Sequence, residues 1–378
     1  MTFSFGVYKW QRVVMVRFVR ASYGDPDPDM PDIDDRGYTG DDHGPIISLG
    51  PEEKNEVTVR LVRERIAFDA PLEVRMLNPS VATVVSPAGG KLANSEKMDI
   101  TIRGVKGGNP SATKLQVIWG GSTVIHELSV WVWEVLRLAV TPHLVTIGDA
   151  ANPTGIASSA DVDEIASRVI DIWRACGVQV RFQPTQTFTV QLGTAGILSD
   201  SPSFAEFNTI AQAKWVPQTV NVYFVHQIGT KNILGYGIAP SWRRSFGLDK
   251  PMIIAGDTSA TGGGNDLTSW SNNVAHEIGH FCTLQHVGNS QVPDEREDTW
   301  ARRELMHNFN LMRGHNPWPA RTGDGRPFSK RPLRDDVGYG AFRRGALITM
   351  KKLTQIGDDG ECSTARTQIS TLGVYSTG

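Results

Sequence analysis

His276-Glu277-Ile278-Gly279-His280-Phe281-Cys282-Thr283-Leu284-Gln285-His286 is the segment around which the rest of the chain arranges itself. His276 and His280 stand four residues apart, so on a helix both imidazoles leave the same face, about one turn from each other. Two neutral imidazoles at that separation can take two corners of a zinc tetrahedron, and Glu277 beside the first can reach a zinc-activated water as general base. His286 follows six residues after His280. On a continuing helix that is about 600°, which turns it roughly 120° away from His280. It can join the same ion only where the helix stops near Thr283 and the chain doubles back.

The pattern resembles the metzincin clan of zinc endopeptidases, whose signature is His-Glu-x-x-His-x-x-Gly-x-x-His followed by a Met-turn. The resemblance implies one catalytic zinc ion held by His276, His280 and His286, with Glu277 as the base. The chain departs from the signature at one position: the family's glycine, which ends the helix in a left-handed residue, is Thr283. A β-branched residue in that conformation costs about 1–2 kcal/mol. Asp294, Glu295 and Asp298 therefore stand as alternative third ligands. Two methionines compete for the Met-turn, Met306 before His307 and Met312 before Arg313; Met306 is preferred because the family's methionine is often followed by a ring. Tyr339 is the candidate phenol for the oxyanion, and His307 and His315 read as loop histidines.

Around the motif, Val274, Ile278 and Phe281 form one stripe, while His276 and His280 lie about 200–240° around the helix from Val274. One face is therefore expected to pack on a core and the other to look into a cleft. The helix is expected to start near Leu267 with Asp266 as N-cap, after the glycine run Gly262-Gly263-Gly264. Cys282 lies beyond the ligand face and reads as a small core hydrophobe.

At 378 residues the chain can hold two domains, each with its own core. A net charge of −2, with 21% charged and 40% hydrophobic residues, gives no electrostatic case for nucleic acid or membrane surfaces. No apolar run approaches the roughly 18 residues of a membrane span. The three cysteines, Cys176, Cys282 and Cys362, form no Cys-x-x-Cys pair and no disulfide framework. At the N-terminus Arg12, Arg17 and Arg20 interrupt the apolar run Val13–Val16, so no secretory leader is read. That leaves a product secreted or delivered by a leaderless route, a cytoplasmic one, or a truncated start.

The expected organisation is multidomain: an all-β immunoglobulin-like sandwich followed by an α+β, metzincin-like zincin catalytic domain. Residues 1–44, with the acidic, proline-rich run after Tyr23, read as a disordered or extended arm. Residues 45–137 alternate in short strands around Val57–Leu61, Leu72–Met76, Ile100–Ile102, Leu115–Val117 and Leu128–Val132, separated by turn chemistry such as Asn78-Pro79 and Gly107-Gly108-Asn109-Pro110. That spacing suits a small sandwich and resembles the immunoglobulin-like modules beside catalytic domains in bacterial surface and secreted proteins. Trp119, Trp131 and Trp133 read as core or interdomain packing ahead of a sugar-binding platform.

Residues 138–378 form the expected catalytic part. Asp161-Val162-Asp163-Glu164 has the form of a capping box, and Val162, Ile165, Ala166, Val169, Ile172 and Trp173 make a helical stripe behind it. Strands are expected at Val178–Phe182, Val220–Val225 and Met252–Ala255, then the motif helix. Leu234-Gly235-Tyr236-Gly237 is the candidate rim strand beside an extended substrate. Beyond His286 the composition predicts irregular loops, with a short amphipathic helix over Asp359–Ser370. The function read from all this is zinc-dependent hydrolysis of protein or peptide substrates. The alternatives are an adhesion or interaction protein with a structural or inactive zinc site, and the same protease delivered as a toxin. Oligomeric state stays open.

Overall fold

A computed structural model describes residues 16–20, 32–33, 38–40, 46–49, 56–63, 71–108, 111–148, 158–174, 177–192, 197–198, 204–229, 235–256, 267–284 and 361–372. The first ten strands are β1 Val16–Arg20, β2 Asp32–Ile33, β3 Tyr38–Gly40, β4 Ile46–Leu49, β5 Glu56–Arg63, β6 Leu72–Met76, β7 Ala82–Ser86, β8 Lys97–Gly104, β9 Ser111–Trp119 and β10 Thr123–Val132. They form a four-stranded sheet in the order β1-β5-β8-β7 and a six-stranded sheet in the order β2-β3-β4-β10-β9-β6. Every pairing is antiparallel except that of β4 with β10. Val59, Leu61, Ile100 and Ile102 of the first sheet share one buried cluster with Val74, Val117, Leu128 and Val130 of the second. The period of two is the cause: β8 alternates exposed and buried through Lys97–Ile100, so one face of each sheet is apolar and the two must cover each other.

The segment expected to be an arm contributes to this unit. β1 pairs with β5, Phe18 is buried, and its ring stacks on His126 of β10 at 5.2 Å, joining the two sheets. Arg17 and Arg20, read from the sequence as breaks in an apolar run, lie within β1.

Three residues link the β unit to the second half. Val132 ends β10, Trp133, Glu134 and Val135 form the crossing, and β11 runs over Leu136–Ile147. The remaining elements are α1 Ser159–Arg174, β12 Val178–Phe182, β13 Gln186–Val190, β14 Ile197–Leu198, α2 Ala205–Ala213, β15 Val220–Phe224, β16 Gln227–Ile228, β17 Gly235–Ile238, β18 Met252–Ala255, α3 Leu267–Phe281 and α4 Glu361–Leu372. The main sheet has the order β12-β11-β15-β18-β17. It is parallel throughout except for β17, which runs antiparallel to β18 at the edge. β13 continues the edge of β11 beyond β12, and β14 and β16 form a separate small pair.

Both faces of this sheet are covered, so its central strands are largely apolar and bury their residues on both sides. Every residue of β15 is buried: Val220, Val222 and Phe224 face α1 and α3, while Tyr223 faces α2. The stripe read from the sequence of α1 is buried throughout, Val162 to Trp173. A 16-residue helix is marginal alone. Burying each of its large aliphatic side chains contributes about 1.5–3 kcal/mol, so the sheet holds it in place. The cap lies three residues before the expected one. Ser158 Oγ accepts the Asp161 N–H at 3.3 Å and its hydroxyl donates to Asp161 Oδ2 at 2.9 Å, so the helix begins before Asp161.

The tryptophans resolve towards packing. Trp133 is 1% exposed within the α1–α3 core, and the Arg366 guanidinium of α4 lies over its ring at 4.9 Å. Arg366 Nη1 donates to the Glu134 and Gly177 carbonyls at 2.8 and 3.3 Å, fastening α4 to the crossing. Among the described residues no helix is long and apolar enough to cross a membrane.

Candidate metal centre

The α3 helix is positioned by its apolar stripe. Trp270, Val274, Ile278 and Phe281 are buried against the sheet and α1, and the Trp270 ring meets Phe224 of β15 edge-on at 5.7 Å. The other side carries His276 and His280, both half-buried, with ring centroids 4.6 Å apart and planes nearly perpendicular. The four-residue spacing therefore does what helix geometry requires and brings the two imidazoles together.

The end of α3 decides where the chain goes next. Thr283 sits at φ 66°, in the left-handed region. The Thr283 N–H donates to the His280 carbonyl at 2.8 Å, and the Leu284 N–H to the Gly279 carbonyl at 2.9 Å. These two bonds are the Schellman arrangement, with Thr283 in the place glycine usually holds. Leu284, the residue after it, folds back into the same core as Ile278, which is the apolar contact that accompanies such caps. The helix thus stops where doubling back demands, and the β-branched penalty is tolerated.

That reversal also places the Leu284 carbonyl 2.8 Å from His280 Nδ1. A carbonyl can only accept, so Nδ1 carries the proton, and in the neutral ring the lone pair stays on Nε2. This is the tautomer in which an imidazole ligates a metal, with its other nitrogen oriented by a backbone acceptor.

Glu277 is 4% exposed, and its carboxyl is pushed up to about 8 by burial, opposed by a hydrogen bond from the Gly237 N–H of β17. Its Oε2 is buried with no hydrogen-bond partner among the described residues. An orphaned carboxyl oxygen costs about 1–3 kcal/mol unless solvent or a ligand meets it. β17 approaches closely: a Cβ on Gly235 would lie 2.7 Å from Glu277 Oε1, and one on Gly237 would lie 2.1 Å from the Glu277 backbone oxygen. The sequence singled out this strand as a rim. Its contact with the glutamate went unread, although glycines two apart in a strand share a face, which was the available signal.

Cys282 is fully buried, a free thiol with its pKa pushed up to about 12 by desolvation, which matches a core role. His286, Met306, Met312, Tyr339, His307, His315, Asp294, Glu295 and Asp298 lie outside the described residues. Among the described residues no three histidine, cysteine or acidic side chains converge as a metal set. The chain matches no protein-family model and no curated protein.

Proposed function

We propose that the chain is a zinc-dependent endopeptidase of metzincin-like type, with an immunoglobulin-like β unit ahead of it. The observation that carries this is the adjacent His276–His280 pair, with the His280 tautomer set for ligation by the Leu284 carbonyl. The left-handed ending of α3 at Thr283 supports a return of the chain towards His286, the expected third ligand. The order of elements, with α1 and a mostly parallel sheet preceding the motif helix and an antiparallel strand at its rim, supports the same reading.

The donor set fits zinc: imidazole nitrogens with a buried carboxyl beside them and no thiolate available from Cys282. His276 and His280, with His286, would hold the ion. When bound, zinc supplies Lewis acidity that makes water nucleophilic near neutral pH. Glu277 then takes the proton as the water oxygen bonds to the scissile carbonyl, and passes it to the amine as the C–N bond breaks. In the metal-free protein burial favours the neutral form of the Glu277 carboxyl, and a neighbouring dication would favour its ionised, basic form. Tyr339 is proposed to assist the oxyanion, and Met306 to lie beneath the ligands.

Glu277→Ala tests the reading. The variant is expected to bind one zinc like the parent while casein digestion falls by about three orders of magnitude or more. Digestion at the parental rate by the zinc-loaded variant refutes it.

A further inference from the structure

Gly235 and Gly237 of β17 stand opposite Glu277 and His280 of α3, yet neither has the positive φ that would demand glycine. Space demands them instead, and the two positions differ in what a side chain would strike. A Cβ at 235 would meet the glutamate side chain alone, at 2.7 Å from Oε1, 2.8 Å from Cγ and 2.9 Å from Cδ. A Cβ at 237 would meet the helix itself, at 2.1 Å from the Glu277 carbonyl oxygen and 2.7 Å from His280 Cβ. Between them the Gly237 N–H donates to the Glu277 carboxyl, and Oε2 is the oxygen with no partner among the described residues.

We propose that the Gly235–Gly237 backbone is a seat for the catalytic carboxylate, in which the Gly237 N–H holds one oxygen and the missing side chain at 235 keeps the rotamer open. The other oxygen is thereby presented for proton transfer. This rests on the peptidase reading for its catalytic meaning, while the seat itself is a property of the metal-free chain. Gly235 and Gly237 are positioning residues: they touch the base and act through it. The proton balance is unchanged, since Glu277 gives to the leaving amine the proton it took from water. A glutamate on a helix rim has several staggered rotamers, and the seat selects one, as placing a reacting group requires.

Two arms on the full chain test it. In metal-free protein labelled with ¹⁵N-glycine, Gly237 amide exchange is followed in the parent, Glu277→Gln and Glu277→Ala. Protection is expected to persist in Glu277→Gln, whose amide oxygen still accepts, and to fall by about tenfold or more in Glu277→Ala. Equal exchange in all three overturns the seat. In the second arm, zinc content and casein kinetics are compared for the parent and Gly235→Ala. The variant should keep its zinc and its KM within about two-fold and lose about a hundredfold in kcat, because displacing the base by a fraction of an ångström acts on the chemical step. A Gly235→Ala kcat within about two-fold of the parent's removes the positioning role but leaves the peptidase reading standing. A zinc-loaded parent that cleaves nothing refutes the peptidase reading and the catalytic meaning of the seat with it. The exchange arm still decides the hydrogen bond in that case, and also if Gly235→Ala fails to fold.

Discussion

Replacing Thr283 by glycine should stabilise the protein, whereas within a helix glycine does the opposite. Thr283 holds φ 66° at the end of α3, where a Cβ crowds the following carbonyl. For Ala that conformation costs about 1–2 kcal/mol, and a β-branched residue fares no better. Glycine removes the strain but gives back about 0.5–1 kcal/mol through the greater freedom of the unfolded chain. The net gain of Thr283→Gly over Thr283→Ala is then about 0.5–1 kcal/mol. Were residue 283 right-handed, in a helix that continued towards His286, propensity would make alanine the better residue by about 1 kcal/mol. The two conformations thus differ in the sign of the Gly-minus-Ala difference, over a span near 2 kcal/mol. Urea unfolding of the metal-free chain, followed by tryptophan fluorescence for both variants at one pH, measures it; Trp270 on the same helix is buried and reports on α3. Alanine more stable than glycine would refute the left-handed turn, and with it the route that brings His286 back to the ion. The turn also sets the Leu284 carbonyl that orients His280, so Thr283→Gly should leave zinc affinity unchanged or tightened.

Zinc at a hundredfold excess over its dissociation constant should stabilise the parent by about 2.7 kcal/mol, read as a raised melting temperature, and His276→Ala or His280→Ala should abolish the rise. His143 of β11 gives a pH dependence remote from that centre. It is fully buried, its Nε2–H donates to Asn221 Oδ1 at 2.8 Å, and its pKa is lowered from 6.5 to about 4, chiefly by burial. The unfolded chain therefore binds more protons between those values, and stability present above pH 6.5 is lost as pH falls towards 4, on the order of 3 kcal/mol. His143→Phe should flatten the slope of the urea midpoint across that window, and an unaltered slope would show that another group causes it. Cys282→Ser puts a hydroxyl in an apolar core and should destabilise by about 1–3 kcal/mol, with no loss of bound zinc, since the thiol is no ligand. Loss of the metal in that variant, with the fold retained on circular dichroism, would contradict the core assignment.

Periodicity carried most of what could be read beforehand. The strands of the β unit alternate because one face of each sheet is covered, and α1 shows its stripe because it lies on one surface. The full extents of β12 and β18 are legible because β12 alternates apolar and polar residues and β18 is a short apolar run, each between turn residues. β11 was not legible in its full length, for two physical reasons. Covered on both faces, it lacks alternation, and Pro142 interrupts the run that remains. On the edge opposite β15, β12 pairs with residues up to Val140 and β13 from His143 onwards, so the proline falls between two partners and removes no bond to either.

The candidate centre divides along the same line. Helical spacing alone makes His276 and His280 neighbours, and that was written in the motif. What sets their chemistry comes from elsewhere in the chain: a carbonyl four residues on that fixes one tautomer, and an edge strand about forty residues upstream that buries the glutamate. No local pattern encodes the second contact, because sheet order decides which strand lies beside α3. β17 runs antiparallel to β18 at the edge of the sheet, and both strands pack on α3, so the edge of the sheet and the motif helix are neighbours. A side chain on either glycine would press that edge off the helix or displace the carboxylate. Burial of Glu277 is thus the consequence of two small residues in a strand, and the raised carboxyl pKa follows from them as much as from the motif itself.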